Sequence, residues 1–162
     1  MFLGKAEILK RIKDEKLLEN LDIDNVQGAG VDLKIDRLFE AVSGASLSRD
    51  SRELPELREI REDTFTLRPG KYYLCTTREK VNMPKDLVAF IFQRSTLFRC
   101  GVSLRTAVVD PGYSGILTIG IKNEGSKAFS LERGSRICQI VFSRVYGEAQ
   151  IYEGRYQGGM VR

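Results

Sequence analysis

At 162 residues the chain has the size of one ordinary domain, and 42% hydrophobic with 30% charged residues suits a soluble globular protein with a packed core. A formal net charge of +4, from 26 Lys plus Arg against 22 acids, is too mild to mark a nucleic-acid binder, and the aromatics are not interleaved with the bases as a single-strand groove requires. Histidine is absent, which removes Ser-His-Asp and Cys-His nucleophilic machinery and every zinc site built on His ligands. Acid–base chemistry is left to carboxylates, Lys, Tyr, Cys or water.

The N-terminus lacks an apolar signal core with a cleavage site, and no apolar run nears the ~20 residues that span a bilayer. A cytoplasmic protein with no membrane partner is expected. One domain, 1–162, is expected. Residues 1–20 read as an N-terminal helix, with Leu9, Ile12, Leu17 and Leu18 on an apolar face and Lys13 and Lys16 among its charges. VDLKID from Val31 alternates as a strand does, and RLFEAV reads as a second strand. The polar, charged stretch 43–63, interrupted by Pro55, reads as a long surface loop without a strand. Beyond it, turn signals punctuate short apolar runs: Arg68-Pro69-Gly70 before KYYLCTT, Pro84 before LVAFIF, Asp110-Pro111-Gly112 before GILTIGI, Arg133-Gly134 before RICQIVF. Strands at this spacing predict a mainly β barrel or jelly roll. The Gly-rich, basic residues 150–162 form a frayed terminus or a flexible arm that covers a ligand. Cys75, Cys100 and Cys138 lack metal-ligand spacing and read as three reduced core thiols.

Four stretches carry candidate chemistry: QGAGVDL (27–33), QRSTLFRCG (93–101), AVVDPGYSG (107–115) and GSRICQIVF (134–142). In the second, Arg94 offers a planar fork of donors suited to phosphate oxygens, and Ser95 with the amides after it opens a short helix that would hold an anion. In the third, Asp110 stands in a tight turn where a carboxylate can orient and deprotonate a water, with the aromatic face of Tyr113 nearby. Taken singly, a helix cap with a surface Arg is the better explanation of the second stretch, and a common Asp-Pro-Gly turn is a strong one for the third.

The four stretches in this order, over about 115 residues, resemble the motifs of the dUTPase and dCTP deaminase superfamily. QGAGVDL is similar to Gln-Pro-x-Ser-Val-Asp-Leu, QRSTLFRCG to Arg-Ser-Ser-Leu-x-Arg, AVVDPGYSG to Asp-x-x-Tyr/Trp-x-Gly, and GSRICQIVF to Gly-x-Arg-Ile-x-Gln. The resemblance implies a dUTPase-like distorted β-barrel or jelly roll that assembles as a homotrimer and binds a deoxynucleoside triphosphate, dUTP and possibly dCTP. By the same resemblance Asp110 activates the hydrolytic water and holds the 3′-hydroxyl, and Tyr113 packs on the sugar. Arg94, Ser95, Thr96, Arg99 and Gln139 contact the triphosphate, often from a neighbouring subunit, and the hairpin backbone around Val109 to Ile121 reads the pyrimidine edge. Tyr152, Arg155, Tyr156 and Gln157 of the tail are nucleotide contacts. Asp32 supports the site in part through water on Mg²⁺, and Arg136 is either a phosphate contact or structural.

The superfamily runs two chemistries, attack on the α-phosphate or attack on the pyrimidine ring, and the second needs a Glu in the strand after the Asp turn. Here that position holds Gly120, which has no side chain to move a proton. Glu124 lies about 13 Å further along an extended strand and cannot stand in for it. Tyr113 also fits the dUTPase branch, whereas Arg99 and YEGRYQGG resemble the deaminases. The reading is a Mg²⁺-assisted hydrolysis of dUTP to dUMP and pyrophosphate. The alternatives are a dCTP deaminase or bifunctional enzyme, a triphosphatase accepting dCTP and dUTP alike, and a trimeric nucleotide-binding module without activity.

Overall fold

The computed structural model describes residues 1–159 and Val161. With 46% strand and 12% helix it is mainly β, a nearly closed barrel-like sheet behind a short N-terminal helix. Helix α1 (Lys5–Glu15) buries Ile8 and stops at Lys16, whose backbone turns left-handed (φ 53°, ψ 40°). It is therefore shorter than the 1–20 span read from the sequence. Leu17 and Leu18, counted there as part of its apolar face, are instead buried in the barrel, where β1 (Leu18–Glu19) pairs with β7.

The remaining strands are β2 (Val31–Ala41), β3 (Ser46–Leu47), β4 (Arg52–Glu53), β5 (Leu57–Ile60), β6 (Thr64–Leu67), β7 (Tyr72–Asn82), β8 (Leu87–Gln93), β9 (Val102–Arg105), β10 (Ser114–Asn123), β11 (Phe129–Glu132) and β12 (Arg136–Arg144), with a one-turn helix α2 (Ser95–Arg99) after β8. The main sheet runs β8-β12-β2-β7-β10-β9, and all its ladders are antiparallel. It curls back on itself: Val109 exchanges backbone hydrogen bonds with Ala89 of β8 (2.9 and 3.0 Å), and Thr106 Oγ1 donates to the Ile91 carbonyl (3.0 Å). Alternate residues of the long strands fill the interior: Val31, Leu33 and Ile35; Tyr73 and Cys75; Ile119 and Ile121; Cys138, Ile140 and Phe142.

Two sequence expectations are corrected. VDLKID and RLFEAV are one strand, β2, interrupted by a register shift between Ile35 and Arg37 where it pairs with β7. Stretch 43–63 is not strandless: β3 and β4 form a small hairpin, and β5 pairs with the far end of β2. Its strands are held by their partners, β3 and β4 by each other and β5 by β2, rather than by an apolar alternation of their own. Of the cysteines, Cys75 and Cys138 are buried as expected, whereas Cys100, at the end of α2, is exposed. Among the described residues no helix is long and apolar enough to cross a membrane.

Candidate active site

The Asp turn is fastened at both ends. Val109 is paired to β8, and beyond the turn the Gly112 amide donates to the Met83 carbonyl (3.0 Å) while the Met83 amide donates to that of Tyr113 (2.7 Å). Between these clamps Asp110-Pro111-Gly112 makes its bend with Gly112 at φ +83°, a conformation glycine adopts without a steric penalty. The Asp110 side chain stands exposed at the rim of a cavity of about 360 Å³. Pockets of this size suit small organic ligands.

Six segments build that cavity. The Asp turn gives Asp110, Tyr113 and the run Ala107–Val109. Leu74 and Ile91 come from β7 and β8, and Leu117 and Thr118 from β10. Leu54, Pro55 and Leu57 come from the charged stretch, and Tyr152, Tyr156 and Gly159 from the C-terminal arm. Asp110 is the one charged residue among the described lining. Apart from Thr118 the rest is apolar or aromatic, a surface fit for a flat ring and a sugar but, among the described lining, without a cation for phosphate.

The arm is docked by specific bonds. The Tyr152 amide donates to the Pro111 carbonyl (2.8 Å), and its ring meets that of Tyr113 edge-on, with centroids 5.6 Å apart. Gln157 accepts from the Ser114 amide (3.0 Å) and donates to the Gly112 carbonyl (2.9 Å), so its amide holds the Asp turn. Tyr113 is buried and its hydroxyl donates to the Ile116 carbonyl; burial, with Tyr152 alongside, pushes its pKa up to about 12, so the phenol stays neutral. Tyr156 carries the Arg52 guanidinium over its ring at 5.5 Å, and its hydroxyl accepts from Arg52 (3.1 Å). Arg155 does not line this cavity. It lies with Leu47–Arg52 around a neighbouring one of about 400 Å³.

The other predicted phosphate contacts form a separate group. Arg94 occupies the cap position before α2, with no side-chain cap there, and Ser95 and Thr96 are the first helical residues. The Asp32 carboxylate is nearly buried between two guanidinium groups, Arg94 Nε at 3.4 Å and Arg136 Nη1 at 3.3 Å. Gln139 of β12 sits directly across from Asp32 on one side and Phe92 on the other. Arg99 at the end of α2 lies beside the Phe98 ring. None of Arg94, Ser95, Thr96, Arg99 or Gln139 lines the Asp110 cavity. Asp32 is engaged by two cations rather than presented to an ion, and among the described residues no group of three acids or thiols could hold a metal.

Sequence reasoning missed Leu54, Pro55, Leu57, Leu74 and Ile91. The first three fall in the stretch read as a plain loop, and the last two at strand positions that carry no motif.

A sequence profile described as dCTP deaminase-like matches residues 2–145. A probable deoxyuridine 5′-triphosphate nucleotidohydrolase of Methanothermobacter thermautotrophicus is 38% identical over 88% of this chain and 97% of its own. A dCTP deaminase of Caldivirga maquilingensis is 32% identical over 98% of this chain and 92% of its own. The crystal structure of a 2′-deoxycytidine 5′-triphosphate deaminase from Agrobacterium tumefaciens superposes with a TM-score of 0.70 at 22% identity over 90% of this chain, which spans about half of that longer chain. With a profile match over most of its length and relatives at this identity and coverage, the chain belongs to the dCTP deaminase-like family, in which dUTPases and dCTP deaminases are both found.

Proposed function

We propose that this protein is a dUTP nucleotidohydrolase that converts dUTP and water to dUMP and pyrophosphate. The observation that carries the reading is the pairing of a free, exposed Asp110 carboxylate at the cavity rim with Gly120 on the strand behind it, where the ring-deaminating chemistry needs an acid. Asp110 takes a proton from the attacking water and is the group within reach of the sugar 3′-hydroxyl. Tyr113 and Tyr152 wall the sugar and base. Their apolar surround favours the neutral parts of the nucleotide, and the triphosphate needs cations from elsewhere.

Arg94, Ser95, Thr96 and Gln139 supply those contacts from a neighbouring subunit of a homotrimer. Three exposed apolar side chains support an interface between copies: Phe92 beside Gln139, Phe98 on α2 and Val108 on the Asp turn. Mg²⁺ fits the donor set only as an ion carried chiefly by the phosphates, since one carboxylate lines the cavity; this is the usual way that ion is held, and it would neutralise phosphate charge. Arg94 offsets charge that develops on the phosphates, and the buried Asp32 holds its guanidinium in place.

The test is pyrophosphate release from dUTP, dCTP, dTTP and UTP with Mg²⁺, with ammonia release followed in the dCTP arm. Selective release from dUTP is expected. Ammonia from dCTP would favour the deaminase or bifunctional reading, and equal pyrophosphate from dCTP and dUTP the broader triphosphatase.

A further inference from the structure

The face of β10 that carries Thr118 into the cavity carries Gly120 two residues on. Gly120 is paired with Leu74 of β7, itself a lining residue, and with Arg105 of β9. A side chain at position 120 would therefore stand at the end of the cavity. That place is already filled. A β-carbon built on Gly120 would meet the Tyr72 hydroxyl well inside van der Waals distance, Tyr72 Cζ at 2.8 Å and Arg105 Cβ at 3.0 Å. Tyr72 belongs to the next pair on the same face of the ladder, opposite Lys122, and its ring leans back over the glycine. It is 46% exposed, so it is not a sealed core side chain, and it stands one same-face step along β7 from Leu74, beyond the last lining residue of that strand. The acid nearest along the strand is tied down: Glu124 is held by Ser103 Oγ (2.9 Å), Arg105 (3.2 Å) and Lys122 (2.7 Å).

We infer that Tyr72 is a specificity-determining residue, its phenol forming the end wall that meets the pyrimidine and keeping any acid-bearing side chain out of position 120. The inference deepens the hydrolase reading and rests on it. A base reaching this wall meets a neutral hydroxyl that both donates and accepts, not a carboxylate able to move a proton onto or off the ring. Chemistry at the base then lacks its shuttle, and the phosphate end, where Asp110 waits, is the reactive one.

The experiment is a double-variant cycle on the full chain with Tyr72→Ala, Gly120→Ala and both together, read by thermal unfolding and by calorimetric binding of dUTP and dCTP. Overpacking against Tyr72 should make Gly120→Ala lower Tm by roughly 3–10 °C in the parent, and by under about 2 °C once Tyr72 is alanine. Tyr72→Ala should also change the dUTP-to-dCTP affinity ratio by about tenfold or more. Equal Tm shifts in both backgrounds, or an unchanged affinity ratio with binding intact, would overturn the inference. Nucleotide binding by the parent without pyrophosphate release would defeat the hydrolase reading alone, because the affinity ratio would still report on Tyr72.

Discussion

Asp110 owes its readiness to what does not touch it. Its turn is held by backbone bonds on both sides, whereas its carboxylate enters no hydrogen bond or ion pair among the described residues, and the nearby arm binds the turn through Pro111, Gly112 and Ser114 instead. Asp110→Asn should therefore leave the fold alone, with Tm within about 2 °C, and lower kcat by roughly 10²- to 10⁴-fold through loss of the general base. Retained turnover in a well-folded variant would remove Asp110 from the mechanism. Glu79 presents the opposite situation. It is fully buried, with Oε2 accepting from the Lys34 amide (2.9 Å) and Oε1 without a partner. Burial raises its pKa above the usual carboxylate range. The folded state thus binds this proton more tightly than the unfolded state does, and the charged carboxylate weakens the fold at neutral and alkaline pH. That penalty is relieved as pH falls through the raised value toward the ordinary one. Glu79→Gln should raise Tm relative to the parent at about pH 8, with the advantage shrinking toward about pH 5. A constant difference across that range would show that the charge of Glu79 is not what costs stability.

Between elements, the contact that shapes the cavity is the arm against the Asp turn. Gly112 has φ +83°, and a β-carbon there would strike the Ile151 side chain and come within 3.3 Å of the Tyr152 amide. Gly112→Ala combines a backbone penalty with displacement of the arm. It should speed tryptic cleavage after Arg155 severalfold relative to the parent, as local opening costs less, and unchanged protection would mean the arm is held from elsewhere. This contact was not legible in the sequence. The tail composition is that of a frayed end, and only pairing with Pro111, Gly112 and Ser114 gives it a place. The same holds for Arg52–Glu53 and Leu57–Ile60: short and charged, they lack the alternation that exposed VDLKID as a strand, and become strands because Ser46–Leu47 pairs with the first and the end of β2 with the second. What the sequence did disclose at this scale are the turns, since Pro-Gly and Arg-Gly steps act locally and need no partner.

Across the whole molecule, the motif residues divide into two groups that one chain does not bring together. Asp110 and Tyr113 line a cavity with no cation among its described lining, while Arg94 and Gln139 are gathered around Asp32 near the exposed Phe92. Motif order along the chain singled out the residues of both groups, but how copies of the chain would combine them is something no single-chain pattern encodes. The division makes a quantitative prediction. If each site joins Asp110 of one subunit to Arg94 of the next around a closed three-fold ring, Asp110→Asn and Arg94→Ala trimers should each be nearly inactive. Unfolding and refolding the two together in equal amounts then gives a site two intact halves with probability one half each, so activity should recover to about a quarter of the parent's. Sites contained within one subunit would recover nothing, because every chain in the mixture carries one defect. A mixture no more active than its parts, with sedimentation showing trimers, would therefore place the phosphate-binding cations for Asp110 on its own chain and overturn the shared site.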